Sequence, residues 1–335
     1  MSTIADVAAR AGVSKATASR ALSGRGYASE RTRAKVRAAA AELDYIGHSS
    51  ATSLATGRSM SVGVIMPALD RWFFAELLAG IQEELLGSGL DLVLYGIREG
   101  TAERARLFEE VLPHRRLDGI IAVGIQPSAH ELERLLMVDS PLVSIGAYSP
   151  GSSAVAIDDV AAARMVTEHL IDLGHREIAF LGGTTDASTH AFGDDRRLAG
   201  YRAAMTSAGL AAHIRHIDSA PTMPGGYEAG VRMLGDRRRR PTAFVAVCDE
   251  AAVGGIIAAR RLGLSIPAEL SAVGIDDHAH AEMFSLTTVR QHPRGQGAAA
   301  VALLLRRIED PDADPVQQLL PFELVVRSST AVPRA

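Results

Sequence analysis

Seven residues near the N-terminus, SKATASR, carry side chains suited to contacting DNA. On a helix that follows a tight turn, Lys15, Ala16 and Arg20 would lie on the solvent side. Lysine and arginine pair with guanine in the major groove, and a small apolar side chain meets the thymine methyl group. Three hydroxyl residues of the same stretch suit phosphate oxygens better: Ser14, Thr17 and Ser19. The stretch therefore predicts a helix that reads base edges.

Two short helices joined by a turn must position these side chains. Thr3 precedes the first apolar residue, and Asp6 follows it at capping-box spacing. Gly12 stands where a helix ends in a left-handed residue, and Ser14 caps the next helix. The pattern is that of a helix-turn-helix, although a helix pair with only a structural role in a small bundle remains the alternative.

A third helix is predicted to complete a small headpiece. It begins with Ser29 as its cap and runs SERTRAKVRAAAAELDY, with apolar residues at Val36, Ala39, Ala40 and Leu43. Helical spacing places those four on one face. The first 60 residues hold nine basic and four acidic side chains, whereas the rest of the chain holds 26 basic and 35 acidic ones. A basic head on an acidic body is typical of a DNA-binding protein.

The composition describes an ordinary globular protein. Hydrophobic residues make up 47% of the 335 residues and charged residues 22%. The N-terminal sequence predicts no signal peptide, and charges interrupt the later apolar runs, so no membrane-spanning helix is expected. The single cysteine, Cys248, has no partner for an intrachain disulfide, which fits a reducing compartment. We therefore expect a cytoplasmic protein with no membrane partner.

From Ser61 onward, short β-branched runs alternate with helical stretches in two successive rounds. This alternation predicts βαβ units and parallel sheets. The expected fold is an all-α helix-turn-helix headpiece followed by an α/β core of two doubly wound parallel-sheet subdomains. A ligand of such a core would lie in the cleft, beyond the carboxyl ends of the strands.

The chain resembles the LacI/GalR family of bacterial transcription regulators. The resemblance rests on IADVAARAGVSKATASRALSG, the SERTRAKV helix start, Tyr45 and SLATGRS, and it extends over nearly the whole chain. It implies a core like that of periplasmic sugar-binding proteins. The implied ranges are 1–46 for the headpiece, 47–60 for a hinge and 61–335 for the core, with subdomain 1 at about 61–157 and 291–320 and subdomain 2 at about 158–290 and 321–332.

The resemblance also implies which residues contact ligands. Leu54, an isolated leucine in a polar segment, matches the hinge residue that wedges into the minor groove of the operator. The candidates for effector binding are the following: Trp72, Phe73, Phe74, Arg197, Cys248, Asp249 and Asp276, with Asp158 as a weaker candidate. Cys248 stands where the family commonly has asparagine.

The predicted function is transcriptional regulation, most simply repression, by a homodimer on a pseudo-palindromic operator. A small molecule in the cleft, expected to be a sugar, would control it, and no cofactor is expected. The alternatives are a purine or a sugar phosphate as effector, a sugar-binding protein without a DNA role, or an enzyme. For an enzyme, the sequence has no G-x-S-x-G, phosphate-loop or zinc motif. His278 and His280 alone do not have the spacing of a metal site.

Overall fold

A computed structural model describes most of the chain. The described residues are 2–23, 27–45, 58–67, 69–98, 100–125, 127–138, 140–146, 151–183 and 192–334. Leu54 lies outside them. The chain divides into two compact units, Met1–Met60 with Arg116–Asp118, and Ser61–Arg115 with Gly119–Ala335.

The described residues of the first unit include three helices: α1 (Ile4–Ala11), α2 (Lys15–Ser23) and α3 (Glu30–Glu42). The predicted capping box is present, because the Thr3 hydroxyl accepts from the Asp6 amide while the Asp6 carboxylate accepts from the Thr3 amide. Gly12 ends α1 with φ of 67°, a conformation that costs glycine little. The helices bury a small core of alanine and valine: Val7, Ala8, Ala18, Ala21, Val36, Ala39 and Ala40. Such small side chains let short helices pack closely.

A six-stranded parallel sheet forms one half of the second unit. Its strands lie in the order β11-β5-β4-β3-β1-β2. Their bounds are Ser61–Met66 (β1), Asp91–Gly96 (β2), Gly119–Val123 (β3), Leu142–Ile145 (β4), Ser153–Ala156 (β5) and Gln317–Leu319 (β11). The central strands β1 and β3 are almost entirely buried, as parallel strands covered on both faces must be.

Each helix described in this half precedes one of its strands in the sequence. They are α4 (Trp72–Gly87), α5 (Ala102–Arg106), α6 (Ala129–Met137) and α11 (Pro293–Glu309). A π-helical turn and a 3₁₀ turn, Leu107–Val111 and Leu112–His114, continue the helical path after α5. Helix α11 packs against α4, and a Cβ at Gly297 would lie 2.5 Å from the Leu77 carbonyl oxygen, so this contact needs glycine.

A four-stranded parallel sheet with strand order β7-β6-β8-β9 forms the other half. Its strands are Ile178–Leu181 (β6), Arg215–Ile217 (β7), Ala243–Ala246 (β8) and Ser271–Val273 (β9). Its helices are Asp159–Asp172 (α7), Phe192–Ser207 (α8), Met223–Gly235 (α9) and Asp249–Arg261 (α10). Strand β7 was not predicted, because its three half-buried residues give no apolar pattern.

The chain crosses between the two halves three times. It leaves the first sheet after β5, returns through α11 and β11, and then reaches β12 (Glu323–Val325). Strand β12 pairs antiparallel with β10 (Thr288–Arg290), which precedes α11. The six-stranded sheet and the two-stranded sheet of β10 and β12 each contain strands on either side of a crossover. The carboxyl ends of the two parallel sheets border one cleft. No helix in the described parts of the chain is long and apolar enough to cross a membrane.

Candidate functional site

The outer face of helix α2 carries the predicted base-reading residues. Lys15, Ala16 and Arg20 are all exposed, whereas Ala18 and Ala21 on the opposite face are fully buried. The Arg20 Nε donates to the Ala16 carbonyl oxygen at 3.2 Å. These three side chains therefore form one solvent-facing surface, which has the residue types needed to contact base edges.

The predicted phosphate-contacting hydroxyls lie at the start of the same helix. Ser14 Oγ accepts from the Thr17 amide at 3.1 Å and lies 2.8 Å from Thr17 Oγ1. Ser14 thus caps α2, and its hydroxyl and that of Thr17 already bond to each other. Ser19 is half-buried beside the core.

A cavity opens between the two sheets of the second unit, at the carboxyl ends of their strands. It encloses about 630 Å³, counting its open mouth. Its lining includes Phe73 and Phe74, the ends of strands β3 and β4, and a set of polar side chains. The polar side chains are Arg71, Asp159, Asp194, Arg197, Asp276, Gln291 and Gln296, with the Cys248 thiol beside them. Aromatic side chains together with hydrogen-bonding groups suit a small molecule that has both apolar faces and hydroxyls.

Arg197, on helix α8, makes hydrogen bonds to a side chain and to the backbone in the cavity wall. Its Nε donates to Asp159 Oδ1 at 2.8 Å and its Nη1 to the Val247 carbonyl oxygen at 2.7 Å. The same Nη1 lies 3.7 Å from Asp276 Oδ1. Burial acts to lower the pKa of Arg197, but Asp159 and Asp276 outweigh it and raise the pKa above its ordinary value. Arg197 is therefore a fixed cation in the cavity wall.

Asp276 follows strand β9 in an unusual backbone conformation. Its φ is 141°, a region that non-glycine residues rarely adopt. The Gln291 amide nitrogen donates to its Oδ1 at 2.5 Å. Burial raises the pKa of Asp276 to about 6, although Arg197 and Arg71 oppose the shift. The carboxyl group can accept hydrogen bonds from ligand hydroxyls.

Cys248 lies between strand β8 and helix α10, and Asp249 is the first residue of α10. Of the two, Cys248 faces the cavity. Burial raises the pKa of Cys248 to about 12, so the thiol stays protonated, and it donates to the Pro221 carbonyl oxygen at 3.4 Å. Asp249 is fully buried and is not among the residues that line the cavity. Its carboxylate accepts from the Thr288 hydroxyl at 2.6 Å and the His278 amide at 2.8 Å. Asp249 therefore holds the loop after β9 in place.

The three predicted aromatic residues begin helix α4, and two of them line the cavity. Phe73 and Phe74 pack edge to face, with ring centroids 5.5 Å apart. Trp72 is not part of the lining; its ring centroid lies 4.7 Å from that of His278, a residue of the other half. Trp72 therefore contributes to a contact across the cleft.

Five polar residues of the cavity were not predicted: Arg71, Asp159, Asp194, Gln291 and Gln296. The sequence pointed to Asp158 instead of its neighbour, but Asp158 caps helix α7 by accepting from the amides of Val160 and Ala161 at 3.1 Å. Gln296 donates to the Gln291 carbonyl oxygen at 2.8 Å. No local sequence pattern indicates that these two glutamines, at a crossover between the halves, line a cavity.

Comparison with known proteins places these two regions in one family. Residues 3–47 match the profile of bacterial regulatory proteins of the lacI family, and residues 167–330 match that of a periplasmic binding protein-like domain. The HTH-type transcriptional repressor PurR of Glaesserella parasuis is 32% identical over 98% of both chains. The ribose operon repressor of Escherichia coli K12 is 31% identical over 93% of this chain and 94% of the relative.

Solved structures agree with the sequence relatives. The lac repressor dimer bound to operator and the anti-inducer ONPF aligns with a TM-score of 0.86 at 28% identity, over 98% of this chain and 99% of the other. A complex of the transcriptional regulator CelR with cellobiose aligns with a TM-score of 0.71 at 29% identity, over 98% and 100%. Because a relative above 30% identity matches nearly the full length, the chain belongs to the lacI family of bacterial regulatory proteins.

Proposed function

We propose that this regulator is a repressor that binds DNA through helix α2 and is controlled by a small molecule in the cleft. The observation that carries the proposal is the exposed surface of Lys15, Ala16 and Arg20 on a folded three-helix headpiece. Lys15 and Arg20 would pair with guanine and Ala16 would meet a thymine methyl group. Ser14, Thr17 and Ser19 would contact phosphates, and Leu54 would enter the minor groove.

The effector we propose is a sugar. Arg197 and Asp276 offer a donor and an acceptor of opposite charge on one wall of the cavity, and Phe73 and Phe74 offer an apolar face. Relatives support this assignment, since one is named for the ribose operon and one was solved with cellobiose. Binding that favours one arrangement of the two halves over another would shift the affinity for DNA.

A purine is the second candidate for the effector. Two phenylalanine rings in the lining can stack on a base, and the PurR repressor is 32% identical to this chain. The two candidate effectors would bind in the same cavity but would depend on different side chains. A sugar depends chiefly on Arg197 and Asp276, whereas a purine depends chiefly on Phe73 and Phe74.

We further propose a homodimer, with the ranges 1–46, 47–60 and 61–335 as headpiece, hinge and core and with subdomains at 61–157 with 291–320 and 158–290 with 321–332. The solved relative that is bound to operator is a dimer, which supports this assembly. No enzymatic role is proposed, because the relatives reported above are named as repressors.

Selection of bound fragments from randomised double-stranded DNA by the full-length protein tests the function. We expect an inverted repeat to be enriched by the wild type and not by Arg20→Ala. A titration of that repeat followed by fluorescence anisotropy, with and without sugars or purine bases, then identifies the effector class. Enrichment without a repeated half-site, or equal enrichment by Arg20→Ala, would contradict the proposal.

A further inference from the structure

Arg71 reaches across the cleft from one half of the core to the other. It immediately precedes helix α4, on the side of the six-stranded sheet, and its Nε donates to Glu250 Oε2 at 3.1 Å in the first turn of α10. The two side chains are only 14% and 16% exposed. The pair is therefore a largely desolvated ion pair between the halves, beside the ligand cavity.

Among the described residues, the charges around the cavity leave no excess of positive charge for an anion. In this part of the chain two guanidinium groups, those of Arg71 and Arg197, face four carboxyl groups. The four are Asp159, Asp194, Asp276 and Glu250. The Arg197 cation lies against two of these carboxyl groups, and the Arg71 cation lies against Glu250. A phosphate group entering this site would lose its hydration and meet more negative than positive charge.

Hydroxyl groups, in contrast, find usable partners. Among the described residues, the Arg71 Nη2 donates to the sulfur of Cys248, at 3.5 Å, and a neutral thiol is a weak acceptor. A ligand oxygen would be a better partner for that N–H group. Asp276 on the same wall can accept from a hydroxyl group. The site therefore offers hydrogen bonds to a polyol without requiring a charge on it.

We propose that the Arg71–Glu250 pair determines which effectors the cleft accepts: it selects an uncharged, hydroxyl-rich molecule and rejects the phosphate ester of that molecule. The inference rests on the proposed function, since it concerns the same cleft. Glu250 does not line the cavity, and it acts by neutralising Arg71. Glu250 is thus a specificity-determining residue that acts through another side chain.

Matched pairs of compounds test the proposal on the full-length protein. The pairs are ribose with ribose 5-phosphate, glucose with glucose 6-phosphate, cellobiose with cellobiose phosphate, and adenosine with adenosine monophosphate. Thermal unfolding identifies binders because a ligand of the folded state raises the Tm, and calorimetry then gives the Kd. For the wild type we expect at least one uncharged compound to bind and its phosphate ester to bind at least tenfold more weakly.

The variant Glu250→Gln removes the negative charge of residue 250 while nearly preserving the size and shape of its side chain. The amide keeps an oxygen that can accept from Arg71 but leaves the guanidinium charge uncompensated. We expect the phosphate ester to bind this variant at least tenfold more tightly than it binds the wild type. Glu309→Gln is the matched control, because Glu309 is exposed at the end of α11 and its change should leave both affinities as they are.

Three results would overturn the proposal. They are an ester that binds the wild type as tightly as its uncharged partner, a panel in which no uncharged compound binds, and a Glu250→Gln variant with no gain for the ester. The wild-type comparison stands even if that variant fails to fold. The DNA selection described above does not depend on the charge of the cleft. A failed selection would therefore count against the proposed function and not against the proposed role of the Arg71–Glu250 pair.

Discussion

The Arg197 Nε lies 2.8 Å from Asp159 Oδ1, and this bond links helix α8 to the first residue of helix α7 at the wall of the ligand cavity. The two helices pack closely enough that a Cβ at Gly200 would lie 2.2 Å from the Val160 carbonyl oxygen. The ion pair and the helix contact therefore depend on each other. A ligand that binds Arg197 engages a side chain whose position the helix pair already fixes.

Replacing Arg197 or Asp276 should weaken effector binding by different routes. Each change leaves a ligand hydroxyl without its partner in a desolvated site, which costs about 1.5–3 kcal/mol, or about tenfold or more in Kd. Arg197→Ala also leaves Asp159 and Asp276 without their cation, so we expect a lower Tm. Asp276→Asn keeps an oxygen for Gln291 and should lower the Tm less. Calorimetry and thermal unfolding measure both quantities, and unchanged affinity in both variants would rule out the cleft assignment.

Arg20 and Arg37 should differ in how they affect DNA binding. Both are exposed, but Arg20 lies on the proposed reading surface of α2 and Arg37 lies on α3. Arg20→Ala should cost about 1–3 kcal/mol on the selected repeat and relax preference at one base pair per half-site. Arg37→Ala should weaken binding to all DNA sequences equally. Anisotropy titrations on single-base variants of the repeat distinguish the two, and equal losses on every sequence for Arg20→Ala would refute its base-reading role.

Gly226 and Gly235, both on helix α9, should respond oppositely to alanine. A Cβ at Gly226 would lie 2.1 Å from the Ala251 carbonyl oxygen of α10, whereas one at Gly235 would have no atom within 4 Å. Gly226→Ala should therefore destabilise the protein by about 1–3 kcal/mol through overpacking. Gly235→Ala should leave stability unchanged or raise it by up to about 1 kcal/mol. Urea unfolding measures both, and a neutral Gly226→Ala would mean that the helices separate easily.

Asp249 should make stability depend on pH. Burial, followed by the charge of Asp276, raises the pKa of Asp249 from 3.8 to about 8. The folded protein therefore holds this proton more tightly than the unfolded chain, so its contribution to stability is complete below pH 3.8 and is lost as the pH rises through about 8. As the pH rises over this range, the free energy of unfolding of the wild type should fall relative to that of Asp249→Asn. Urea unfolding at several pH values measures it, and a constant difference would contradict the raised pKa.

Local signals explain why the headpiece could be predicted in detail. The Thr3–Asp6 capping box, the Gly12 terminus and the Ser29 cap each involve residues within one helical turn, and all three are present. Short β-branched, apolar runs likewise predicted the buried strands β1 and β3. These features depend on neighbours in sequence and need no knowledge of the fold.

The composition of the cavity could not be predicted in the same way. Asp159 and Arg197 are 38 residues apart in the sequence, and Arg71 and Glu250 are 179 residues apart. Helix packing within one half brings the first pair together, and the approach of the two halves brings the second pair together. Asp249 shows the opposite case. It was predicted to line the cavity because it follows a strand end, but hydrogen bonds from the Thr288 hydroxyl and the His278 amide hold its carboxyl group in the interior.

The position of strand β11 has a consequence for how the chain folds during synthesis. Gln317–Leu319 completes the first sheet by pairing with Ala154–Ala156, although the whole second sheet lies between them in the sequence. Helix α11, which covers that first sheet, is also made late. The two halves of the core therefore cannot mature one after the other as the chain leaves the ribosome. The headpiece uses only contacts between nearby helices, whereas the first sheet must wait, with β5 as an unpaired edge, until almost the entire chain has been made.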